Sequence, residues 1–301
     1  MKLQKKYWQI KRKYSNRENY VSITIRKRTG AATGIIMTAF SIAAVAGVPA
    51  GIVLGAYINW SATFYLLVAL SLIIWITGYW LVPSLAQHLV KKPTPLKQII
   101  PNLFAMISDP RNLNAYALTF FMMISHMLVI PFISPMLVAN HGIAPQQIAW
   151  IYMAGGAATF FTSRRVGILA DRFGKHCVFR CVTIISLIPV LLITHLPNLP
   201  LLAMIAFFPV FMVFVSGRMI PMQALITTVP HNDQRGAFLS VNSAIQSLGN
   251  GCGAWLGGLL LSISASGEII GYGTNGWLAG GILIVAILWI GRVHAQPVIT
   301  V

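Results

Sequence analysis

Long apolar stretches, separated by short polar segments, follow one another along the chain from residue 30 onward. Because a helix of about 20 apolar residues crosses the hydrocarbon core of a bilayer, each stretch predicts a membrane-spanning helix. The short turn 58–61 divides the first apolar block into a hairpin. The pattern gives eight predicted spans: 34–57, 62–82, 114–138, 146–163, 178–196, 200–222, 237–263 and 275–292. The sequence therefore predicts an all-α, multi-pass membrane protein.

The composition supports this prediction. Of the 301 residues, 56% are hydrophobic and 9% are charged, whereas about a quarter of the residues of a soluble globular protein are charged. The formal net charge of +17 would suit a nucleic-acid partner, but ten of the 22 Lys and Arg residues precede Gly30 and the others lie between apolar stretches. We therefore expect the lipid bilayer, and no nucleic acid, as a partner.

The positions of the basic residues predict the topology. After the first 29 residues, every Lys and Arg borders the connections that follow spans two, four and six or the end of span eight. Such an excess marks the cytoplasmic side of a membrane protein. We expect an inner-membrane protein with a basic cytoplasmic tail (1–29), a hairpin (30–82), a central cytoplasmic loop (83–113), a six-helix bundle (114–292) and a second cytoplasmic tail (293–301).

Three cysteines, Cys177, Cys181 and Cys252, are too few and too scattered for a disulfide framework. Cys177 and Cys181 share a helix face beside His176, but no fourth metal ligand lies nearby. We interpret them as packing residues and expect no metal and no cofactor. The chain also has no carboxylate pair, HExxH or nucleophile motif at a membrane boundary, so we do not expect an enzyme.

A charged segment of nine residues, 167–175, separates spans four and five and reads Gly-Ile-Leu-Ala-Asp-Arg-Phe-Gly-Lys. Gly167 and Gly174 would let the backbone turn tightly between two helix ends. Asp171 can accept hydrogen bonds from a helix N-terminus, and Arg172 and Lys175 would face anionic headgroups. The segment alone is compatible with any charged cytoplasmic loop.

The segment resembles the cytoplasmic loop signature of the major facilitator superfamily, roughly G-x-L-a-D-R-x-G-R/K, at every specified position. The resemblance covers about residues 30–292. It implies alternating access between two six-helix halves, in which the carboxylate of Asp171 latches the loop to a neighbouring helix. Three partners for that latch are open: Arg218, Arg235 and the start of span one near Arg28 and Gly30.

On this family template, spans one and two are the last two helices of the first half, and spans three to eight are the complete second half. Span one also matches span seven at an offset of 206 residues, at six of 25 positions, which is modest evidence for the parallel repeat of the family. We therefore expect the first four helices of a facilitator to be absent from this chain.

The resemblance is closest to the drug:proton antiporter, or sugar-efflux-like, branch. Span one has Gly47, Pro49 and Gly51 where that branch has its antiporter motif, and we expect these residues to serve helix packing. The fuller motif ends G-P-x-x-G-G, and this departure leaves the direction of antiport open. The resemblance implies proton-linked efflux of a drug or sugar-like molecule.

Polar residues within the spans are candidates for coupling or for the substrate path. Arg218 lies about two thirds along an apolar stretch, where an unpaired arginine costs about 2.5–3.5 kcal/mol. Either it serves proton coupling or its guanidinium reaches the lipid headgroups at the membrane surface. His126, near the middle of span three, titrates around neutral pH, although a structural role is equally open. Gln223 follows Arg218 in the same stretch. No acid lies within a predicted span, which leaves no carboxylate for the usual proton relay.

Span seven carries Asn242, Gln246 and Asn250 at four-residue spacing. The amides suit either a cavity wall or hydrogen bonds between helices. The stripe continues outward through Gly249, Gly253 and Gly257, which suit close helix contact.

Two functions from different classes remain open on the sequence. One is a facilitator-type efflux transporter of a small molecule, coupled to protons. The other is a non-transporting membrane remnant or assembly partner. Such a chain could associate with a second copy through the surface that the other half of a facilitator would cover.

Overall fold

The computed structural model describes residues 29–81, 101, 104–197, 199–231 and 234–295. The predicted basic tail, most of the predicted central loop and the last six residues lie outside the described residues. Within the described ranges the chain is helical almost throughout, with one short two-stranded hairpin.

The first part of the chain forms a hairpin. Helix α1 (Thr29–Ile42) continues through a π-helical turn (Ala43–Gly47) into α2 (Val48–Tyr57), and α3 (Trp60–Leu81) follows after a short turn. The remaining helices are α4 (Pro110–Met127), α5 (Ile130–His141), α6 (Pro145–Phe173), α7 (Lys175–Thr194), α8 (Leu201–Gly217), α9 (Met219–Ile226), α10 (Arg235–Leu259) and α11 (Tyr272–Trp289). Strands β1 (Ser262–Ile263) and β2 (Ile269–Ile270) pair antiparallel between α10 and α11, and a 3₁₀ turn (Ile290–Arg292) ends α11.

Three of the predicted spans are interrupted, and each interruption precedes a proline. A proline has no N–H to donate to the carbonyl four residues earlier, so the helix opens there. Pro131 follows the break between α4 and α5, Pro221 follows the break between α8 and α9, and Pro49 follows the π-helical turn. In that turn the N–H of Val48 donates to Ala43, five residues back, as a π-helix requires.

The helices from α4 onward build the core of the molecule. Helix α10 packs along α4, α8 packs along α6, and α11 packs on α7 and α4. The buried apolar side chains form two clusters. The first core cluster includes Leu128, Ile133, Val190, Phe208 and Val215. The second core cluster includes Tyr116, Phe179, Met222, Phe238 and Leu283.

The hairpin packs differently from the bundle. Helix α1 lies along α6, but α3 has no buried residue over its 22 residues. Its exposed side chains include Trp60, Tyr65, Trp75 and Trp80. An apolar helix exposed on all sides is suited to a lipid environment rather than to water.

Six helical segments are long and apolar enough to cross a membrane by length and composition: Thr29–Gly55, Trp60–Leu81, Pro110–His141, Lys175–Thr194, Leu201–Ile226 and Tyr272–Arg292. They establish a multi-pass membrane protein. The other two long helices, α6 and α10, coincide with predicted spans four and seven but contain more polar residues.

The structure corrects two predicted boundaries. Span seven was predicted to continue to residue 263, but α10 ends at Leu259 and Ser262–Ile263 is a strand. Span four was predicted to end at residue 163, and the segment 167–175 was predicted to be a loop. Helix α6 instead continues to Phe173, because Ile168, Leu169 and Ala170 extend its helical pattern and Ala170 is buried. Most of the charged segment is therefore the last two turns of a helix.

Candidate functional site

The charged segment 167–175 joins α6 to α7 through Gly174 alone. Gly174 has φ 92°, in the left-handed region that disfavours side chains, so glycine is required at this turn. Gly167 was predicted to permit a tight turn, but it lies inside α6 and has another role. We call this end of the bundle, which carries Arg172 and Lys175, the basic end.

Asp171 connects the basic end of α6 to the first turn of α1. Its Oδ1 accepts a hydrogen bond from the backbone N–H of Gly30 and its Oδ2 accepts one from the N–H of Ala31, both at 2.8 Å. The first N–H groups of a helix have no partner within the helix, and the helix dipole favours a negative charge there. Of the three predicted partners for Asp171, the structure shows the start of span one. We call this contact the Asp171 clamp.

Glycines bring the two helices of the clamp together. A Cβ added to Gly167 would collide with the carbonyl oxygen of Gly30, and one added to Gly34 would lie 2.7 Å from the carbonyl oxygen of Ser163. Further along, a Cβ on Gly156 would lie 2.9 Å from that of Ala44. Helices α1 and α6 therefore run antiparallel with their backbones in close contact.

Sequence reasoning missed this contact. In the sequence, Gly30 was named only as marking a possible partner of Asp171, and Gly34 only as the first residue of span one. The four-residue spacing of Gly30 and Gly34 is a small-xxx-small pattern that marks helix contacts in membranes. That spacing was the available signal.

The other charged residues of the segment lie at the surface. Arg172 is exposed and its guanidinium carbon lies 5.3 Å from the centre of the Phe173 ring. Lys175 is half-buried as the first residue of α7. Both lie within four residues of Asp171, so the basic end combines one carboxylate clamp with free positive charge.

A second group of polar side chains lies deep in the bundle, and we call it the polar layer: Ser125, His126, Thr183, Ser186 and Arg218. In the sequence, each of these residues is flanked by a residue of the first core cluster on one side and by a residue of the second core cluster on the other. Phe179 and Val190 enclose the two α7 members, and Val215 and Met222 enclose Arg218. A band of polar groups therefore divides the apolar core into two parts.

Arg218 lies in this layer at the break between α8 and α9. Its exposed fraction is 1%, and its Nη1 donates a hydrogen bond to Ser186 Oγ at 3.2 Å. Within the described ranges its Nε has no hydrogen-bond partner. Ser186 lies about 16 Å from the start of α7 and about 12 Å from its end at 1.5 Å per residue. The guanidinium is thus buried near the middle of α7 rather than exposed at its end.

His126 lies about halfway between the start of α4 and the end of α5, just before the break at Leu128. It is within electrostatic reach of the Arg218 charge, although the two residues are 92 positions apart. Its buried Nδ1 has no hydrogen-bond partner in the part of the chain that the structure describes. Both residues thus lie beside a helix break, at positions between the two core clusters.

The amides of span seven have separate environments. Asn242 is buried, and its Oδ1 accepts a hydrogen bond from Thr119 Oγ1 at 2.9 Å, so it links α10 to α4. The Oδ1 of Asn250 is buried without a partner among the described residues. Gln246 and Gln223 are both half-buried.

The glycine stripe of α10 faces α4 and α5. Cβ atoms added to Gly249, Gly253 and Gly257 would lie 2.8 Å from Met123 Cβ, 2.7 Å from the Ile124 carbonyl oxygen and 2.5 Å from the Phe132 ring, respectively. All three glycines permit close helix contact, as their spacing indicates.

The first-span glycines differ from that stripe. A Cβ on Gly47 would meet only Ala43 Cβ at 3.9 Å, and one on Gly51 only Thr63 Cγ2 at 3.5 Å. These are ordinary contacts, so close packing at Gly47 and Gly51 is not found among the described residues. Pro49 instead lies at the start of α2, next to the π-helical turn.

Comparison with known proteins identifies the family. The family model described as Major Facilitator Superfamily matches residues 115–299, which is more than half of the chain. The chain belongs to the major facilitator superfamily. The match begins in α4 and includes the polar layer, the charged segment and α10.

A curated relative is similar over a longer part of the chain. It is the uncharacterized MFS-type transporter YbcL of Bacillus subtilis (strain 168), which is 23% identical over 235 residues. The alignment covers 77% of this chain and 57% of the relative. This chain therefore spans little more than half the length of the curated relative it matches.

Proposed function

We propose that this facilitator protein takes part in the proton-coupled efflux of a small molecule, drug-like or sugar-like, by alternating access. The observation that carries the proposal is the Asp171 clamp. It ties the start of one helix to the end of another, 140 residues away along the chain, through a carboxylate and two backbone N–H groups.

The clamp has the properties of a two-state contact. A conformational equilibrium shifts only through interactions that differ between the two states. If α1 tilts away from the basic end of α6, both hydrogen bonds break and two N–H groups and one carboxylate become exposed to water. The clamp therefore stabilises the state in which α1 and α6 are closed at this end.

The proposed membrane topology follows from the distribution of Lys and Arg residues along the chain. We propose eight spans, with α6 and α10 crossing the bilayer beside the six apolar segments, and with the basic end facing the cytoplasm of an inner membrane. Residues 110–292 form one six-helix bundle and Thr29–Leu81 belongs to the other half. The close contact of α1 with α6 is then a contact between the two halves, where alternating access requires movement.

The polar layer is the proposed site of coupling between solute transport and proton binding. None of the described acids lies in it: Asp109 begins α4, Asp171 forms the clamp, and Glu268 lies in the β1–β2 hairpin. His126 is the imidazole side chain of this layer, and its buried Nδ1 has no hydrogen-bond partner among the described residues. We propose His126 as the proton-binding group.

Flux measurements in proteoliposomes test the proposal. The purified chain is reconstituted, and the movement of a panel of cationic drugs and sugars is followed with and without an imposed pH gradient. We expect at least one solute to move only with the gradient, and collapse of the gradient by an ionophore to abolish its movement. Empty liposomes give the background.

The absence of any gradient-dependent flux from folded, inserted protein would refute the proposal. It would favour the second candidate, a membrane component that acts through assembly. The specific observation for that candidate is α3, whose 22 residues include none that is buried.

A further inference from the structure

We infer that the polar layer holds a small inorganic anion, of which chloride is the representative, bound between Arg218 and the hydroxyl of Thr183 on α7. This site is separate from the substrate of the proposed transport. The inference rests on the balance of charge and hydrogen-bond donors around Arg218, and on the burial of these groups.

The charge balance lacks a negative partner. Arg218 is the one charged residue among the buried polar side chains of the described ranges, and the hydrogen bond that its guanidinium makes there is to a neutral hydroxyl. A buried charge in a membrane protein normally pairs with an opposite charge. The described carboxylates lie at helix ends or in the hairpin and are engaged elsewhere or exposed.

The surrounding groups are donors without acceptors. Arg218 Nε and the hydroxyl of Thr183 are buried without partners among the described residues, and His126 Nδ1 can donate in one tautomer. Ser186 lies three residues after Thr183 on the same face of α7, and its hydroxyl donates to the Thr183 carbonyl at 2.8 Å. An anion beside the guanidinium would accept from the unpaired donors and neutralise the charge at the same time.

The burial of these side chains favours a small ion. Thr183 and Ser186 have exposed fractions of 0%, and Arg218 has 1%. A site closed on these sides suits a monoatomic or similarly small anion rather than an organic acid. Chloride is abundant and accepts hydrogen bonds from guanidinium and hydroxyl groups without a fixed geometry.

Thermal unfolding of the full chain in detergent tests the inference, with the fluorescence of its eight tryptophans as the signal. The midpoint is compared in sodium chloride and in sodium gluconate at equal ionic strength, because gluconate is too large for the site. We expect saturating chloride to raise the midpoint by about 2 °C or more. Arg218→Gln should abolish this rise, whereas Arg165→Gln, which removes an exposed arginine, should retain it.

Three results would overturn the inference: no response of the native chain to chloride, an equal response in Arg218→Gln, or a large loss of stability in Arg218→Gln in both salts. The last result would show that Arg218 stabilises the chain without a bound chloride. If Arg218→Gln does not fold, Thr183→Val serves instead. It should raise the chloride concentration for half the effect about tenfold, and an unchanged concentration would exclude a bound anion at this position.

Discussion

Replacing Asp171 by asparagine should open the contact between α1 and α6 while leaving each helix intact. Asparagine has the same shape, but only one of its two terminal atoms accepts a hydrogen bond. The other would place an N–H₂ against the N–H of Gly30 or Ala31, each of which now donates to an oxygen at 2.8 Å. The substitution therefore removes one bond and the charge from the other.

The expected magnitude follows from these two bonds. Each is part-buried and charge-assisted, so we take about 1.5 kcal/mol for each and about 1 kcal/mol for the neutral bond that remains. The loss is about 2 kcal/mol, or about 30-fold in the ratio of closed to open states. A closed state populated at roughly nine in ten would fall to roughly one in four.

The assay is the distribution of distances between two spin labels, one on α1 and one on α6. Ile36 and Ile168 are suitable positions because their side chains are 65% and 47% exposed. The three native cysteines are first replaced by serine: Cys177, Cys181 and Cys252. Asp171→Asn should add or enlarge a population at longer distance.

Asp109→Asn is the matched control. Asp109 also accepts a backbone N–H at a helix start, from Arg111 at 2.9 Å, but the contact is local and joins no two helices. It should leave the distance distribution unchanged. Identical distributions in the native chain and Asp171→Asn would refute the reasoning that the clamp holds the closed state.

Two further predictions concern glycines, and both are measured as changes in the thermal unfolding midpoint. Gly253→Ala should destabilise the chain by about 1–3 kcal/mol, because its Cβ would lie 2.7 Å from the Ile124 carbonyl oxygen. The control is Gly251→Ala, whose Cβ has no atom within 4 Å and which should be neutral or stabilising. Equal effects of the two substitutions would contradict the packing of α10 on α4. Gly174→Ala should cost about 1–2 kcal/mol through backbone strain at φ 92°, and not through a clash, because no atom lies within 4 Å of its Cβ. Gly281→Ala is the control in a helix without such strain. An unchanged midpoint in Gly174→Ala would exclude strain at this turn.

The apolar pattern predicted where helices would form, because burial in a bilayer requires about 20 apolar residues whatever the tertiary structure. Each of the eight predicted stretches contains a helix, and six meet the length and composition of a membrane span. The chemistry of Asp171 was also predictable, since a carboxylate in that signature suits a helix N-terminus. The choice of Gly30 and Ala31 as its partners needed the fold, because the sequence left two arginines equally open.

What the sequence could not give were contacts between distant residues and the ends of amphipathic helices. The close contact of Gly30 with Gly167 depends on α1 and α6 lying side by side, which no local pattern specifies. The continuation of α6 to Phe173 was missed because charged residues were taken as a loop, although a helix can extend beyond the membrane. The hydrogen bond between Arg218 and Ser186 likewise depends on two separate helices meeting in the core.

The most direct test of the central claim is solute flux in proteoliposomes under an imposed pH gradient, normalised to the amount of folded, inserted protein. The account predicts gradient-dependent flux in the native chain and in Asp109→Asn, and a large reduction in Asp171→Asn at equal abundance. Equal flux in all three would contradict the role of the clamp, and no gradient-dependent flux in any of them would contradict proton-coupled transport by this chain.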